Sequence, residues 1–234
     1  MCVRKRRDLL LRTLAVLVIF GLCFLLDRRM RPAFGPERFG AEQVVILDAG
    51  HGGEDGGAVS VRGAKESRIN LEIVQRMEQV FVFLGTSPIL TREDDRSLHD
   101  PEAETLREKK VSDLKNRAAL FQSYGDVPAV SIHQNTYPEG RYRGCQVFYA
   151  PTEGSKELAE LVQADIKNHL QPENSREAKA IPENVYLMNH IPNPAILVEC
   201  GFLTNPEEES LLQTPAYQKQ LAMIVCSAVT KAEG

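Results

Sequence analysis

Cysteine is scarce in this 234-residue sequence and never closely paired: five occur, with no CxxC spacing among them. Cys145, Cys200 and Cys226 each lie in an apolar run, and their number is odd. They read as buried thiols, which excludes a disulfide framework and a cysteine-built metal knuckle. Phosphate-cradling loops are missing as well, since neither GxxxxGK[ST] nor GxGxxG occurs. That removes sequence support for the common nucleotide-binding turns. No internal repeat is visible. Basic charge is short outside the first segment: residues 1–31 hold eight Lys/Arg and two Asp, a net of +6, while the whole chain carries −4. The remainder is therefore at about −10, a poor match for a nucleic-acid partner.

What is present divides into a leader and a domain. "RKRR" (Arg4 to Arg7) precedes "LLLRTLAVLVIFGLCFLL" (Leu9 to Leu26), a positively charged start followed by an apolar core. This is the pattern of a signal peptide or signal anchor, and no small-x-small cleavage site follows it in "DRRMRP". The expectation is an N-terminal anchor over residues 1–31, a linker over 32–42, and a single domain over 43–234. The leader would place that domain on the far side of a membrane, membrane-anchored or secreted.

Within the domain, strand and helix signals alternate. "VVIL" at residues 44–47 is a short apolar, β-branched run that reads as a buried strand. "ESRINLEIVQRMEQVFVFLG" sets Ile73, Val74, Met77, Val80, Phe81 and Leu84 on one helical face, with Gly85 as its stop. "PILTR", "PAVSIH", "CQVFYA", "NVYLM" and "AILVECGF" read as strands. "VSDLKNRAALFQ" and "KELAELVQADIKNHL" read as helices. Asn205-Pro206 and Thr214-Pro215 each look like an N-cap followed by proline at the first helical position. Residues 93–112, charged and weakly patterned, are expected to form an exposed insertion. The alternation predicts an α/β fold, a twisted, mostly parallel sheet flanked by helices on both faces.

Chemistry gathers at the strand ends. "LDAGHGGEDGGA" places His51 among five glycines and three carboxylates just after the first strand. His133 ends "PAVSIHQN". Glu199 sits inside an apolar run, where an unpaired carboxylate is expensive. Glu66 opens the long helix. Two histidines and a carboxylate are the composition of a catalytic zinc site with one position left for water, and a further glutamate can serve as general base. Two carboxylates compete for the third ligand position. Glu54 has the closer spacing, His51-x-x-Glu54, as in zinc carboxypeptidases, but it stands in glycine-rich backbone that is costly to order. Glu66 stands on a stiff helix whose N-terminus favours an ionised carboxylate. His99, His169 and His190 lie in polar segments and read as surface histidines.

These residues carry a resemblance. "LDAGHGGEDGGA", Glu66, "LTRED", "SDLKNRA", "SIHQN" and "ILVECGFLTNPEEESLL" resemble, in order and spacing over residues 43–231, the zinc-dependent N-acetylmuramoyl-L-alanine amidases of bacterial cell walls. The resemblance implies that His51, Glu66 and His133 bind one zinc ion and that Glu199 is catalytic; Asp48, Arg92 and Asn135 are candidates to orient ligands or substrate and could equally be structural. It implies peptidoglycan as substrate. The segment "REDDRSLHD…REKKVSDLKNRA" is most similar to the germination-specific branch, which acts on spore cortex toward muramic-δ-lactam and would work beside a sporulation lipoprotein or a deacetylase. A vegetative wall amidase, a zinc carboxypeptidase acting on wall peptides and a non-catalytic wall-binding module are the rivals. Division-associated relatives carry a helical plug after the second histidine. Here "QNTYPEGRYRG" (Gln134 to Gly144) is too short for one, so an open site is expected.

Overall fold

The computed structural model describes residues 43–232, so the anchor and linker expected over 1–42 lie outside the described residues. Among the described residues no helix is long and apolar enough to cross a membrane. The chain forms, in order, β1 (Val44–Ala49), α1 (Glu66–Leu84), β2 (Ser87–Leu90), α2 (Leu106–Ser123), β3 (Ala129–Asn135) and β4 (Gln146–Tyr149). It continues through α3 (Ser155–His169), β5 (Lys179–Ala180), α4 (Tyr186–Asn189), β6 (Ala195–Phe202), α5 (Pro206–Leu212) and α6 (Pro215–Ala232).

The strands make one sheet in the order β2-β1-β3-β6-β4-β5. Four of the pairings are parallel; β4 runs antiparallel to β6. The reversal follows from the connection. Residues 136–145 join β3 to β4 without a helix, and a parallel return needs a longer crossover, usually helical.

Alternation within each strand divides the core in two. Val45, Leu47, Val130, Ile132, Ile196 and Val198 pack in one cluster with the apolar faces of α1, α3 and α6. Ile46, Ala129, Ala195 and Leu197 face the other way, against Ala118 and Phe121 of α2 and Leu187 and Met188 of α4. A sheet covered on both faces explains why its strands read as unbroken apolar runs. Cys145, Cys200 and Cys226 are buried free thiols. Gly85 closes α1 in the left-handed conformation, φ 82°, with its N–H on the Phe81 and Val82 carbonyls. The Asn205 side chain accepts from the Glu207 and Glu208 N–H groups ahead of Pro206, which is the cap read from the sequence.

Two expectations need correction. Helix α2 begins inside the segment expected to be an insertion, where Thr105 and Glu108 form a reciprocal capping box. The signature T-x-x-E was present, but no apolar period follows it, and Val111 is exposed. "NVYLM" is not a strand: its last three residues lie in the single turn α4, with the Asn189 amide donating to the Pro182 and Val185 carbonyls. Apolar runs this short do not separate strand from helix by period. The two-residue β5 carried no sequence signal at all.

Candidate metal centre

The sheet register brings the first pair together. His133 and Glu199 are partners across β3 and β6, and Asp48 is the partner of Ser131 across β1 and β3. With a side-chain period of two, these residues share the face that carries Ile46, Ala129 and Leu197. They stand at the carboxyl ends of parallel strands, where ligands bind in open α/β sheets.

His51 enters from the loop after β1 with φ 61°, the left-handed region that a residue with a Cβ seldom adopts. Such a conformation costs about 1–3 kcal/mol and persists only where the surroundings fix it. Two buried guanidinium groups do so. Arg117 Nη2 donates to the His51 carbonyl at 2.7 Å and its Nη1 to the Ala49 carbonyl at 2.9 Å. Arg92 donates from Nε to the Ala49 carbonyl at 2.9 Å and from Nη2 to the Gly50 and Ser67 carbonyls at 3.2 and 2.7 Å. Asp48, fully enclosed, pairs with Arg117 and accepts from Thr91 and Ser131. Burial alone would raise its pKa, but the Arg117 charge holds it below the usual carboxylate value.

Glu66, the first residue of α1, completes the convergence. His51, Glu66 and His133 each offer an atom able to ligate a metal, and these atoms lie within 4.8 Å of one another. His51 Nε2 is 3.4 Å from Glu66 Oε2, and His133 Nδ1 is 3.0 Å from Oε1. The carboxylate also accepts backbone N–H groups of Ala58 at 2.8 Å and Gln134 at 3.0 Å. Burial works against its charge, yet the bonds from His133 and His51 hold its pKa well below the ordinary range. Burial likewise disfavours charge on His51, but its bonds to Asp55 and Glu66 push it up to about 9. Glu199 is opposite in character: burial pushes its carboxyl up to about 7. Its Oε2 is enclosed and meets no hydrogen-bond donor among the described residues. A carboxylate, two imidazoles and an unpartnered acceptor together suit a hydrolytic dication with a water beside it.

The glycines of the opening loop now have a reason. A Cβ on Gly50 would stand 2.3 Å from His133 Cε1 and Nε2. One on Gly57, at φ 65°, would stand 2.6 Å from Glu66 Oε2 and 2.7 Å from His51 Cδ2. Backbone therefore packs against the side chains of the cluster themselves. Gly50→Ala is expected to push the His133 ring aside and weaken metal affinity about tenfold or more, with the fold kept. Equilibrium dialysis against zinc, with circular dichroism as the fold control, checks this.

The other residues singled out from the sequence separate cleanly. Glu54 is exposed and paired with Lys109 Nζ at 2.6 Å, outside the cluster. Asn135 contributes its carbonyl, which accepts from the Leu203 N–H at 2.8 Å, beside an irregularity in the β3–β6 register. His99, His169 and His190 take no part in the cluster. Arg117 and Asp55 had no role assigned from the sequence. Arg117 is betrayed only by Asp113-x-x-x-Arg117, an i,i+4 charge pair between the apolar positions of α2. Residues 136–145 hold no helix, and the His51 and His133 side chains keep 26% and 21% exposure, so among the described residues no helical plug closes the site.

Comparison with known proteins decides the family. Residues 45–231 match the family model for N-acetylmuramoyl-L-alanine amidase. The chain belongs to that family. The amidase is 33% identical over 192 residues to the germination-specific N-acetylmuramoyl-L-alanine amidase of Bacillus subtilis, covering 81% of this chain and 79% of the relative. Among solved structures it is similar to the CwlD amidase of Clostridioides difficile in complex with the GerS lipoprotein. That likeness has a TM-score of 0.78 and 36% identity, over 82% of this chain and 98% of that one. An N-acetylmuramoyl-L-alanine amidase of Clostridium difficile 630 follows with TM-score 0.69 and 30% identity, over 80% and 95%.

Proposed function

We propose that this amidase is zinc-dependent and cuts the amide between the lactyl group of muramic acid and L-alanine in spore-cortex peptidoglycan. The observation that supports it most is the meeting of His51, Glu66 and His133 beside the unpartnered Glu199 Oε2. His51 through Nε2, His133 through Nδ1 and Glu66 through its carboxylate would hold the ion. When bound, zinc would supply Lewis acidity toward the scissile carbonyl and acidify the attacking water. Glu199 takes a proton from that water as the C–O bond forms, then delivers it to the L-alanyl nitrogen as the C–N bond breaks. Arg117, Arg92 and Asp48 act at one remove by fixing the backbone that carries His51. A cavity of about 260 Å³ adjoins His51 and His133 and is walled by Leu114, Tyr186, Met188 and Leu197, room for the L-alanyl end of a stem peptide.

The germination-specific likeness supports the cortex assignment over vegetative wall, and the relative solved with a lipoprotein supports a lipoprotein companion for this chain. Residues 1–31 would carry the domain out of the cytoplasm as a signal peptide or anchor. The test is digestion of purified cortex and vegetative sacculi, read by mass spectrometry, with zinc quantified on the same preparation. Free L-alanyl peptides with unsubstituted muramic acid are expected from cortex. Release of single C-terminal residues instead would mark a carboxypeptidase.

A further inference from the structure

Beyond the residues that would touch the metal, His51 has a partner that no sequence signal singled out. Its Nδ1 lies 3.0 Å from Asp55 Oδ2, while its Nε2 faces Glu66. Asp55 Oδ1 is separately occupied: it accepts the Gly57 N–H at 3.2 Å and pairs with Lys110 Nζ at 2.9 Å. We propose that Asp55 is a positioning residue that fixes His51 as its Nδ1–H tautomer and so presents a bare Nε2 lone pair to the metal. This rests on the metal-centre reading above. An imidazole whose one nitrogen is held by a carboxylate has its ring angle and protonation site set by that bond, and it becomes the more basic ligand. The left-handed backbone of His51 makes such help necessary, because the ring is carried on a loop rather than on a strand as His133 is.

The alternative is that Asp55 merely shapes the loop. Two observations speak against it. The backbone of Asp55 is locked without its side chain, by reciprocal bonds to Gly52: Gly52 N–H to the Asp55 carbonyl at 2.8 Å, and Asp55 N–H to the Gly52 carbonyl at 3.2 Å. The two carboxylate oxygens also do different work, one on the loop and Lys110, the other on the ring. Asn at this position keeps an oxygen for Gly57 and Lys110, which turns its NH2 toward Nδ1. That donor would favour the tautomer protonated on Nε2, which is unable to bind a metal without first moving its proton.

The experiment is a zinc titration of the full-length protein against a chromophoric chelator, for wild type, Asp55→Asn and Lys110→Met. Asp55→Asn is expected to bind zinc about 10–100-fold more weakly, with the circular dichroism spectrum of the metal-free protein unchanged. Lys110→Met, which removes only the ion pair, should stay within about threefold, as a pair whose lysine end is exposed to solvent contributes little. In zinc-loaded wild type, a long-range 1H–15N imidazole spectrum should show His51 protonated on Nδ1, and this measurement needs no variant to fold. Asp55→Asn binding as tightly as wild type, a loss in Lys110→Met as large as in Asp55→Asn, or zinc on His51 Nδ1 would each overturn the role of Asp55. A wild type that takes up no zinc overturns the metal centre itself, and with it this role.

Discussion

Glu199→Gln should lose roughly 10²–10⁴-fold in rate, the usual contribution of a general base, while keeping its zinc. Gln has the shape of Glu but accepts no proton at neutral pH. The same substitution should raise the stability of the metal-free protein. Burial lifts the Glu199 pKa from 4.5 to about 7, so between those values the folded state binds more protons than the unfolded chain. Stability therefore falls as pH rises through 4.5 to 7 and stays lower above it. At pH 8 the ionised, enclosed carboxylate costs on the order of 1–3 kcal/mol, which Gln does not incur. Metal-free Glu199→Gln should melt higher than wild type at pH 8, with the gap closing toward pH 4.5. Added zinc should narrow the gap, because a dication beside the carboxylate offsets its burial. In the zinc-loaded enzyme the same charge would lower the Glu199 pKa, so the acid limb of the pH–rate profile is expected at or below 7. Calorimetry at two pH values, with and without metal, and muropeptide release kinetics check both halves. A Gln variant that turns over normally, or one that has lost its zinc, removes Glu199 from the role of base.

How far the sequence alone reaches is clearest by comparing residues. Strand β6 was legible to its ends, because burial on both faces imposes a continuous apolar run. That run also made Glu199 conspicuous, since a carboxylate there demands a reason. His51, His133 and Glu66 were legible as strand-end and helix-start positions, and register then did the rest by pairing His133 with Glu199. The supporting residues were not legible. Arg117 and Asp55 look like the many charges of a solvated surface until tertiary packing encloses Arg117 and brings Asp55 against His51. Gly50 and Gly57 read as freedom to turn, whereas both are also demanded by the approach of the clustered side chains, which for Gly50 is a contact between segments distant in sequence. The start of α2 and the turn α4 were missed for a related reason: each is fixed by caps and contacts, not by a long hydrophobic period.

The largest effect on metal content should come from Glu66→Ala, which is expected to weaken zinc binding by roughly 10²–10³-fold, one ligand's share of a three-ligand site. Activity should fall with it. The cost extends beyond the metal, because the carboxylate also receives the Ala58 and Gln134 N–H groups. Leaving such buried donors without an acceptor costs about 1–3 kcal/mol each, so Glu66→Ala should also melt lower. Glu66→Gln separates the two effects: it can still accept from one N–H, but it brings no charge to the ion. Its zinc affinity should fall nearly as far while its melting temperature falls less. Glu54→Ala is the counterpart. Its carboxylate points to solvent and to Lys109, so zinc content should match wild type, and any change should appear in substrate affinity alone. Elemental analysis after dialysis of the three variants decides between the carboxylates. Emptying by Glu54→Ala with retention in Glu66→Ala would move the third ligand back to His51-x-x-Glu54 and restore the carboxypeptidase-like arrangement. The geometry stands against that result, since Glu54 lies outside the 4.8 Å cluster that Glu66 completes.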